Sequence, residues 1–413
     1  MKSIIATFVE KMTGKWNHLS VLYLFAVVCS IFIFACSAES EFYDTQTYID
    51  AWDVIKCGVI DVFRTPVYPC LLGIAKTLFG EDAFLWTVSL VQWMLFLPTV
   101  LCFYRISQRL FASDRLAFVL SMVYVVIAVA WVNRILTESL AMDGIVVLLW
   151  CIIKLYDRFS MATAASMTAV LMLMIFLRPA FVYLLPMLTV WWILVAVVGK
   201  KYRTATVGVA GTAAVAALLL LYMAGYERQY GTFSMSNVSK INQIANARVF
   251  FRNEPERIKD EVLRAELYSD YSSNIAVVSA HLTDYYRLHP DVRVRNVLSN
   301  LYKSTEYLLL ENYLGFPLRT ISELLTCRMS DLYMFLLIYT ALLIYVMIKQ
   351  RRIPLLTVLM YMWTISHLFV AIAGAHAEYG RLFVPALLLV LLLFGGVCTI
   401  FRQVRPVGEM RLF

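Results

Sequence analysis

Ten apolar runs constrain the fold of this chain more than any other feature of its sequence. Each run is about 16 to 22 residues long, the length that a helix needs to cross the hydrocarbon core of a bilayer. Hydrophobic residues make up 61% of the chain and charged residues only 15%, a composition that excludes a soluble domain. The sequence therefore predicts an all-α polytopic membrane protein with about ten transmembrane helices, at residues 19–36, 83–104, 116–133, 139–156, 161–177, 180–198, 205–224, 332–348, 354–373 and 382–400.

Basic residues predict how these helices are oriented. If the N-terminus is cytoplasmic, seventeen of the 36 Lys and Arg residues fall in inner segments and six in short outer links. The remaining thirteen lie in one long outer region, which does not count in this comparison. We therefore expect a multi-pass protein of the cytoplasmic (inner) membrane with both termini inside. The net charge of +8 reflects this inner excess and gives no support to nucleic-acid binding.

A charged region between the seventh and eighth spans divides the chain into three parts. Apolar residues recur there at helical spacing, which predicts a small, mainly helical extracytoplasmic domain. The predicted domains are an N-terminal transmembrane module (1–224) with its first outer loop (37–82), the extracytoplasmic domain (225–331) and a C-terminal transmembrane module (332–413).

The first outer loop concentrates acid in a chain where acid is scarce. Asp44 and Tyr48 are four residues apart, so they share one face if this segment is helical. Residues 65–79 are apolar again but are interrupted by proline and glycine, which favours a segment at the membrane surface. Cys57 and Cys70 share the loop and could form a disulfide, although spacing alone does not establish their proximity. The acidic residues of the loop are Glu39, Glu41, Asp44, Asp50, Asp53 and Asp61.

Ionisable residues also occupy the other outer links, so acids and arginines are expected at one membrane face. A partly desolvated carboxylate at the lipid boundary is a candidate base. Arginines close to it are candidate phosphate ligands, because guanidinium groups form paired, charge-assisted hydrogen bonds with phosphate. This combination indicates transfer of a group from a lipid phosphate. The residues concerned are Asp44, Arg64, Arg134, Glu138, Arg178, His376 and Arg381.

Five stretches together resemble the GT-C superfamily of membrane glycosyltransferases. They are similar to the branch that contains the aminoarabinose lipid A transferases and protein O-mannosyltransferases (family 39-like). The chain departs from that branch in having one proline at Thr65-Pro66 and in carrying its polar domain between spans seven and eight. The stretches are DTQTY at 44–48, RTPVYPCLLGIAKTLFG at 64–80, TESL at 137–140, RPAFVYLLP at 178–186 and EYGRLFVPALLLVLLL at 378–393.

The resemblance implies a GT-C-like fold and an inverting transfer of sugar from a polyprenyl-phosphate donor. The acceptor would be a glycan, a lipid or a protein, and the active site would face the outside. Asp44 corresponds to the catalytic base, and Glu138 to a second acid that orients the acceptor or supports the base. No cofactor is implied, and a divalent metal has no support from ligand spacing. The resemblance implies phosphate or donor contacts for Arg64, Tyr68, Arg178, His376 and Arg381, and acceptor orientation for Tyr48.

Other interpretations remain open at this stage. Asp44 can be one solvated charge among several, Glu138 can form a structural ion pair with Arg134, and the two later arginines can be interfacial anchors. A transporter or lipid flippase would show broken helices with buried charges near the middle of the membrane. An O-antigen polymerase or ligase would instead depend on the long outer region, through Arg248, Arg287, and His281 or His289.

Overall fold

The computed structural model describes residues 18–36, 43–252, 258, 260–268, 275–307, 328–351, 353–374 and 379–404. This part of the chain is almost entirely helical. Two short 3₁₀ turns, Pro179–Tyr183 and Val384–Ala386, directly precede helices. The helices are α1 (His18–Cys36), α2 (Tyr43–Ile55), α3 (Val67–Phe79), α4 (Phe84–Phe111), α5 (Asp114–Val132), α6 (Glu138–Asp157), α7 (Met161–Leu177), α8 (Leu184–Val197), α9 (Tyr202–Tyr230), α10 (Val238–Arg252), α11 (Glu261–Tyr268), α12 (Ile275–Leu288), α13 (Pro290–Ser304), α14 (Met329–Gln350), α15 (Leu355–Gly374), α16 (Tyr379–Phe383) and α17 (Leu387–Val404).

The predicted all-α membrane fold is confirmed. In the described part of the chain, nine helical segments are long and apolar enough to cross a membrane, and α7 is a shorter apolar helix of 17 residues. Each of the ten predicted spans coincides with one of these segments. Helix α9 continues beyond residue 224 to Tyr230, so it carries polar residues past the apolar run.

The spans pack around one hydrophobic core that is rich in aromatic side chains. Trp131, Trp191 and Trp363 are almost completely buried in it. The indole nitrogen of Trp191 donates a hydrogen bond to the carbonyl of Leu355 (3.0 Å), which joins α8 to the start of α15. Buried aromatic rings contribute large apolar areas, and a buried indole N–H needs such an acceptor.

The first outer loop forms two helices, α2 and α3, that pack against each other. Tyr68 and Leu72 are buried on one face of α3, whereas Leu78 is 69% exposed on the other face. Gly73 makes close packing possible, because a Cβ atom at this position would lie 1.9 Å from the Trp52 ring. The apolar segment after the acidic stretch is thus a helix with one face held in the protein. Cys57 and Cys70 are both free thiols.

The polar region after α9 forms a helical unit with its own small core. Phe251, Leu263 and Leu282 are buried there, from three different helices. The unit contacts the bundle through polar bonds: the Asn242 amide donates to the carbonyl of Gly374 (2.7 Å), and the hydroxyls of Ser304 and Tyr333 lie 2.6 Å apart. These contacts fix α10 and α13 above the ends of α15 and α14.

Candidate active site

Asp44 lies between two arginines from distant parts of the chain. It occupies the first turn of α2, where the positive end of the helix dipole favours a carboxylate. Its Oδ1 accepts a hydrogen bond from Arg64 Nη2 and its Oδ2 accepts one from Arg381 Nη2, both at 2.8 Å. The Asp44 side chain remains 20% exposed, so this carboxylate lies at the accessible edge of the cluster.

Glu138 is the buried counterpart of Asp44. It begins α6 and is fully buried. Its Oε1 accepts hydrogen bonds from Arg381 Nε (2.8 Å) and from Arg178 Nη2 (3.3 Å). Arg381 therefore bridges the two carboxylates. The result is a continuous chain of ion pairs in the order Arg64, Asp44, Arg381, Glu138 and Arg178.

The described members of the cluster carry more positive than negative charge. Among these residues, three guanidinium groups face two carboxylates, one positive charge more than negative. Among the described residues, neither Glu138 Oε2 nor Arg178 Nη1 has a hydrogen-bond partner, although both atoms are buried. A buried polar atom without a partner costs about 1–3 kcal/mol, more when it is charged. The arrangement is therefore suited to receive an anion beside Arg178.

The pKa of Asp44 reflects this competition between burial and charge. Burial on its own raises the pKa of this carboxyl group, but the charges and hydrogen bonds of Arg64 and Arg381 outweigh it and hold the pKa below its ordinary value. Asp44 is therefore ionised at neutral pH, and both its oxygens are occupied by guanidinium groups.

The buried side-chain amide of Gln92 fixes the position of the loop that precedes α6. Gln92, in α4, donates from Nε2 to the carbonyls of Val132 (2.8 Å) and Arg134 (2.9 Å), and its Oε1 accepts from the hydroxyl of Tyr68 (3.1 Å). The Thr45 hydroxyl donates to the carbonyl of Ile135 (3.0 Å). These bonds hold the residue next to Asp44 against the loop that leads into Glu138.

Arg64 is oriented by its own loop. The Oδ1 atom of Asp61 accepts hydrogen bonds from the backbone N–H groups of Phe63 and Arg64, at 2.8 and 2.6 Å. The Arg64 guanidinium carbon lies 4.1 Å from the centre of the Tyr48 ring, and its Nε donates to Thr47 Oγ1 (2.8 Å). Such a stacked and hydrogen-bonded arginine needs little further ordering when it binds a ligand.

The C-terminal end of α9 fixes the position of this loop. Tyr226 donates to the carbonyl of Val62 (2.9 Å), and Gln229 both donates to the carbonyl of Ile60 (3.0 Å) and accepts from its N–H (3.1 Å). The backbone N–H of Asn237, just before α10, donates to the same Val62 carbonyl. The helical unit after α9 is thus joined to the loop that carries Arg64.

A hydrogen-bond network centred on His367 lies close in sequence to Arg178 and Arg381. His367 Nε2 lies 2.9 Å from the carbonyl of Leu382, the residue after Arg381, and its Nδ1 lies 2.7 Å from the hydroxyl of Tyr183. Trp363 Nε1 also donates to that hydroxyl (3.0 Å). Because Tyr183 follows Arg178 by five residues, the network connects the segments that carry two of the arginines.

An apolar groove of about 430 Å³ begins at Tyr183 and runs between α8 and α15. Of the side chains that line it, Val190 and Phe369 are exposed on the surface of the bundle, so the groove is open to the side. From Tyr183 to Val190, seven residues of helix cover roughly 10 Å, about a third of the hydrocarbon core of a bilayer. The lining residues are Tyr183, Pro186, Met187, Val190, Met362, Ile365, Ser366, Phe369 and Val370.

The predicted site residues fall into three groups. Asp44, Glu138, Arg64, Arg178 and Arg381 come together in one cluster. The two tyrosines support it: Tyr48 lies under Arg64, and the fully buried Tyr68 ring meets the Tyr48 ring edge-on at 5.1 Å while its hydroxyl is bonded to Gln92. His376 lies outside the described residues.

Sequence reasoning missed Gln92, Tyr183 and His367. A neutral amide or an imidazole within an otherwise apolar run is a signal for such positions, because an unpaired polar group in a bilayer is costly. Glu138 forms ion pairs with Arg178 and Arg381. The structural ion pair considered from the sequence was with Arg134 instead.

Two residues of the polymerase or ligase alternative pair with acids of the helical unit after α9. His281 pairs with Glu266 (2.8 Å), and Arg287, which is 78% exposed, pairs with Asp284 (3.3 Å), both on α12. Asp143 is buried within α6, where its Oδ1 accepts a hydrogen bond from Thr99 (2.8 Å). Within the described part of the chain, no group of three or more His, Cys, Asp or Glu side chains is arranged to hold a metal ion.

Comparison with known proteins identifies the fold. No family model matches the chain, and no curated protein matches it. Among solved structures, the archaeal oligosaccharyltransferase AglB from Archaeoglobus fulgidus, in complex with an inhibitory peptide and a dolichol-phosphate, matches with a TM-score of 0.55 and 15% identity, over 94% of this chain and 51% of that one. An oligosaccharyltransferase of Archaeoglobus fulgidus, tethered by a disulfide bond to an acceptor peptide that contains the NVT sequon, matches with a TM-score of 0.55 and 14% identity, over 94% of this chain and 50% of that one.

These matches define the fold of the chain. It is a multi-pass helical membrane protein whose fold is similar to that of the archaeal oligosaccharyltransferases. The chain spans about half the length of the oligosaccharyltransferases that it matches.

Proposed function

We propose that the protein is a GT-C glycosyltransferase that moves a sugar from a polyprenyl-phosphate donor to a lipid, glycan or protein acceptor. The reaction would take place at the outer face of the cytoplasmic membrane. The observation that carries this proposal is the cluster of three arginines and two carboxylates formed by four separate outer links. The fold supports the same class, and the sequence motifs favour the branch of the aminoarabinose and O-mannosyl transferases.

The excess positive charge of the cluster suits the phosphate of the donor. Arg64 and Arg381 each use one terminal nitrogen on Asp44, and Arg178 has a buried Nη1 with no partner among the described residues. Guanidinium groups aimed at the phosphate stabilise the charge that develops there as the bond to the sugar breaks. Glu138, being fully buried, acts in this scheme on the orientation of Arg381 and Arg178.

Asp44 would be the base. The acceptor oxygen attacks the anomeric carbon, the bond from that carbon to the phosphate oxygen breaks, and the acceptor proton passes to the Asp44 carboxylate. Polyprenyl phosphate leaves, and the configuration at the anomeric carbon inverts. When the donor phosphate draws Arg64 and Arg381 away from Asp44, the pKa of the carboxyl group rises, because the charges that lowered it are now shared. Donor binding thus converts Asp44 from a weak into a stronger base.

The apolar groove between α8 and α15 supports a lipid-linked donor. It starts at Tyr183, whose hydroxyl bonds to the histidine that also bonds to the Leu382 carbonyl. A phosphate at Arg381 and Arg178 would therefore have an apolar path for its chain that begins at Tyr183, five residues after Arg178. Burial of each methylene group contributes about 0.8 kcal/mol, so even a few isoprene units in the groove would add to affinity.

Turnover of a labelled polyprenyl-phosphate sugar by the purified protein in lipid tests the proposal. We expect Asp44→Asn to lower the rate by a factor on the order of 10² to 10⁴, the usual effect of a general base. Arg287→Ala is the matched control, because Arg287 is an exposed arginine of the outer unit and lies in an ordinary surface pair.

The turnover of these two variants distinguishes the proposed base from the alternative function. Loss of turnover in Asp44→Asn, with full turnover in Arg287→Ala and both variants still folded at the assay temperature, supports chemistry at the cluster. Full activity of Asp44→Asn would refute the proposed base, and loss of activity in Arg287→Ala alone would favour the polymerase or ligase alternative.

A further inference from the structure

Helix α13 has its polar and apolar faces reversed relative to a helix in water. Asn296, Asn300 and Ser304 are buried against the protein. Val294 and Leu298 are 57% and 55% exposed, and Leu301 is 37% exposed. At 100° per residue, the first three side chains fall within an arc of about 80°, and the last three fall within a second arc centred about 130° away.

The inward face is built for polar contacts. Asn296 Nδ2 donates to the hydroxyl of Tyr286 (2.6 Å), and Ser304 meets the hydroxyl of Tyr333 (2.6 Å). These bonds fix the rotation of α13 about its own axis, so its outward face is not free to turn inward. A surface helix in water normally turns its apolar side chains to the core and its polar ones to the solvent. The reversal indicates that the outward face of α13 does not face water.

The position of α13 indicates what it faces. It packs against the spanning helix α15, and its last residue bonds to Tyr333, which lies in the second turn of α14. The side chain that follows in α14, Met334, is 57% exposed, and Leu337 and Ile338 one turn deeper are 65% and 63% exposed. These exposed apolar residues mark the lipid-facing surface of α14. The end of α13 is therefore level with the point where that surface begins.

Basic residues flank the apolar face of α13. Arg293 and Arg295 are both exposed, and Tyr302 is 71% exposed beside Leu301. A helix with an apolar stripe, flanking arginines and an aromatic side chain is typical of segments that lie in the membrane interface. Arginines near a membrane surface are attracted to the phosphates of acidic lipids.

We propose that α13 lies in the outer leaflet of the membrane, with Val294, Leu298 and Leu301 at the boundary between headgroups and acyl chains. Its apolar face would lie about 5–10 Å into that boundary. Arg293 and Arg295 bind the phosphates of acidic lipids at the same level. This inference rests on the packing and exposure of α13 and does not depend on the proposed glycosyl transfer.

Fluorescence quenching by labelled lipids tests the proposal on the full-length protein. Leu298→Cys is made in a Cys57→Ser background, since Cys57 is an exposed free thiol, and is labelled with bimane in vesicles of neutral and acidic phospholipid. The labelled parent gives the background from the remaining cysteines. Ala280→Cys, exposed on α12 of the same unit, is the matched control, and Val294→Cys is a second position should Leu298→Cys fold poorly.

We expect lipids with a nitroxide near the headgroup end of the acyl chain to quench the label at 298 several-fold more than the label at 280. Aqueous iodide should show the reverse preference. The shallow nitroxide should also exceed one placed deep in the chain. Adding Arg293→Gln and Arg295→Gln should reduce the increase in quenching that acidic lipid produces.

Three results would overturn the proposal. Equal quenching by iodide at 298 and 280 would place the face in water. Quenching at 298 by neither agent would mean that another part of this chain covers the face. Oxidative cross-linking of Leu298→Cys into a dimer, with protection from lipid quenching, would make it an interface between two copies.

Discussion

Glu138 is the residue that holds the buried side of the cluster together. It is fully buried and accepts hydrogen bonds from two arginines. Desolvation makes a buried charge expensive, and here the opposite charges offset that cost for one another. The ion pairs are therefore weak evidence of net stability, but the loss of one partner leaves the others uncompensated.

We expect Glu138→Ala to destabilise the protein by about 3–5 kcal/mol, the usual cost of removing one partner from a buried ion pair. The thermal unfolding midpoint in detergent measures this. Asp53→Ala is the control, because Asp53 pairs with Lys56 at the surface and should contribute less than about 1 kcal/mol. Equal midpoints for Glu138→Ala and the wild type would contradict a structural role for this carboxylate.

Asp44 gives the cluster a defined dependence on pH. Its pKa in the folded protein is below the ordinary value of 3.8, because Arg64 and Arg381 outweigh burial. A lowered folded pKa contributes stability that is present above the unfolded pKa and is lost as the pH falls towards the folded pKa. The contribution is therefore complete at neutral pH.

The stability difference between wild type and Asp44→Asn should be constant from neutral pH down to roughly pH 5 and should shrink below that. Unfolding midpoints of both proteins from pH 7 to pH 3 measure this difference. Other titrating groups are common to the two proteins and largely cancel in the comparison. A difference that grows as the pH falls would mean that the pKa of Asp44 is raised instead of lowered.

At the scale of helices, the sequence was sufficient to find the spans but not the contacts between them. The hydrophobic runs predict each span because a bilayer demands a minimum apolar length. The five charged members of the cluster could be selected because charge at the end of a span is unusual. Arg381 bridges Asp44, which is 337 residues away in the sequence, and Glu138, which is 243 residues away. This contact depends on how the helices pack, and hydropathy carries no information about that packing.

The contact between α2 and α3 determines where Asp44 and Arg64 stand relative to each other. Gly73 lies against the Trp52 ring, and a Cβ atom there would come within 1.9 Å of it. We expect Gly73→Ala to cost about 1–3 kcal/mol through overpacking and to lower turnover by moving α2 away from α3. Thermal unfolding and turnover of the same preparation measure both effects.

Two variants sharpen this comparison. Gly374→Ala is the matched control, since a Cβ atom at Gly374 would meet no atom of the described residues within 4 Å. The pair Gly73→Ala with Trp52→Leu should regain part of the lost stability, because the smaller side chain gives the new methyl group room. If Gly73→Ala is as stable and active as Gly374→Ala, the close packing of α2 on α3 is not needed for the site.

For the whole molecule, topology connects the charge distribution to the proposed reaction. The links that carry Asp44, Glu138, Arg178 and Arg381 meet at one end of the bundle. At the other end, Arg109 pairs with Asp157 (2.7 Å). The excess of Lys and Arg in the segments at this second end predicts that it faces the cytoplasm.

We therefore expect reporter fusions to follow this orientation. Alkaline phosphatase fused after Gly231 should be active and a fusion after Arg158 inactive, whereas green fluorescent protein after Phe413 should fluoresce. Activity after Arg158 together with a dark C-terminal fusion would reverse the topology. The cluster would then open to the cytoplasm, and a donor in the inner leaflet would be required. The fusions thus test the side of the reaction independently of the residues that perform it.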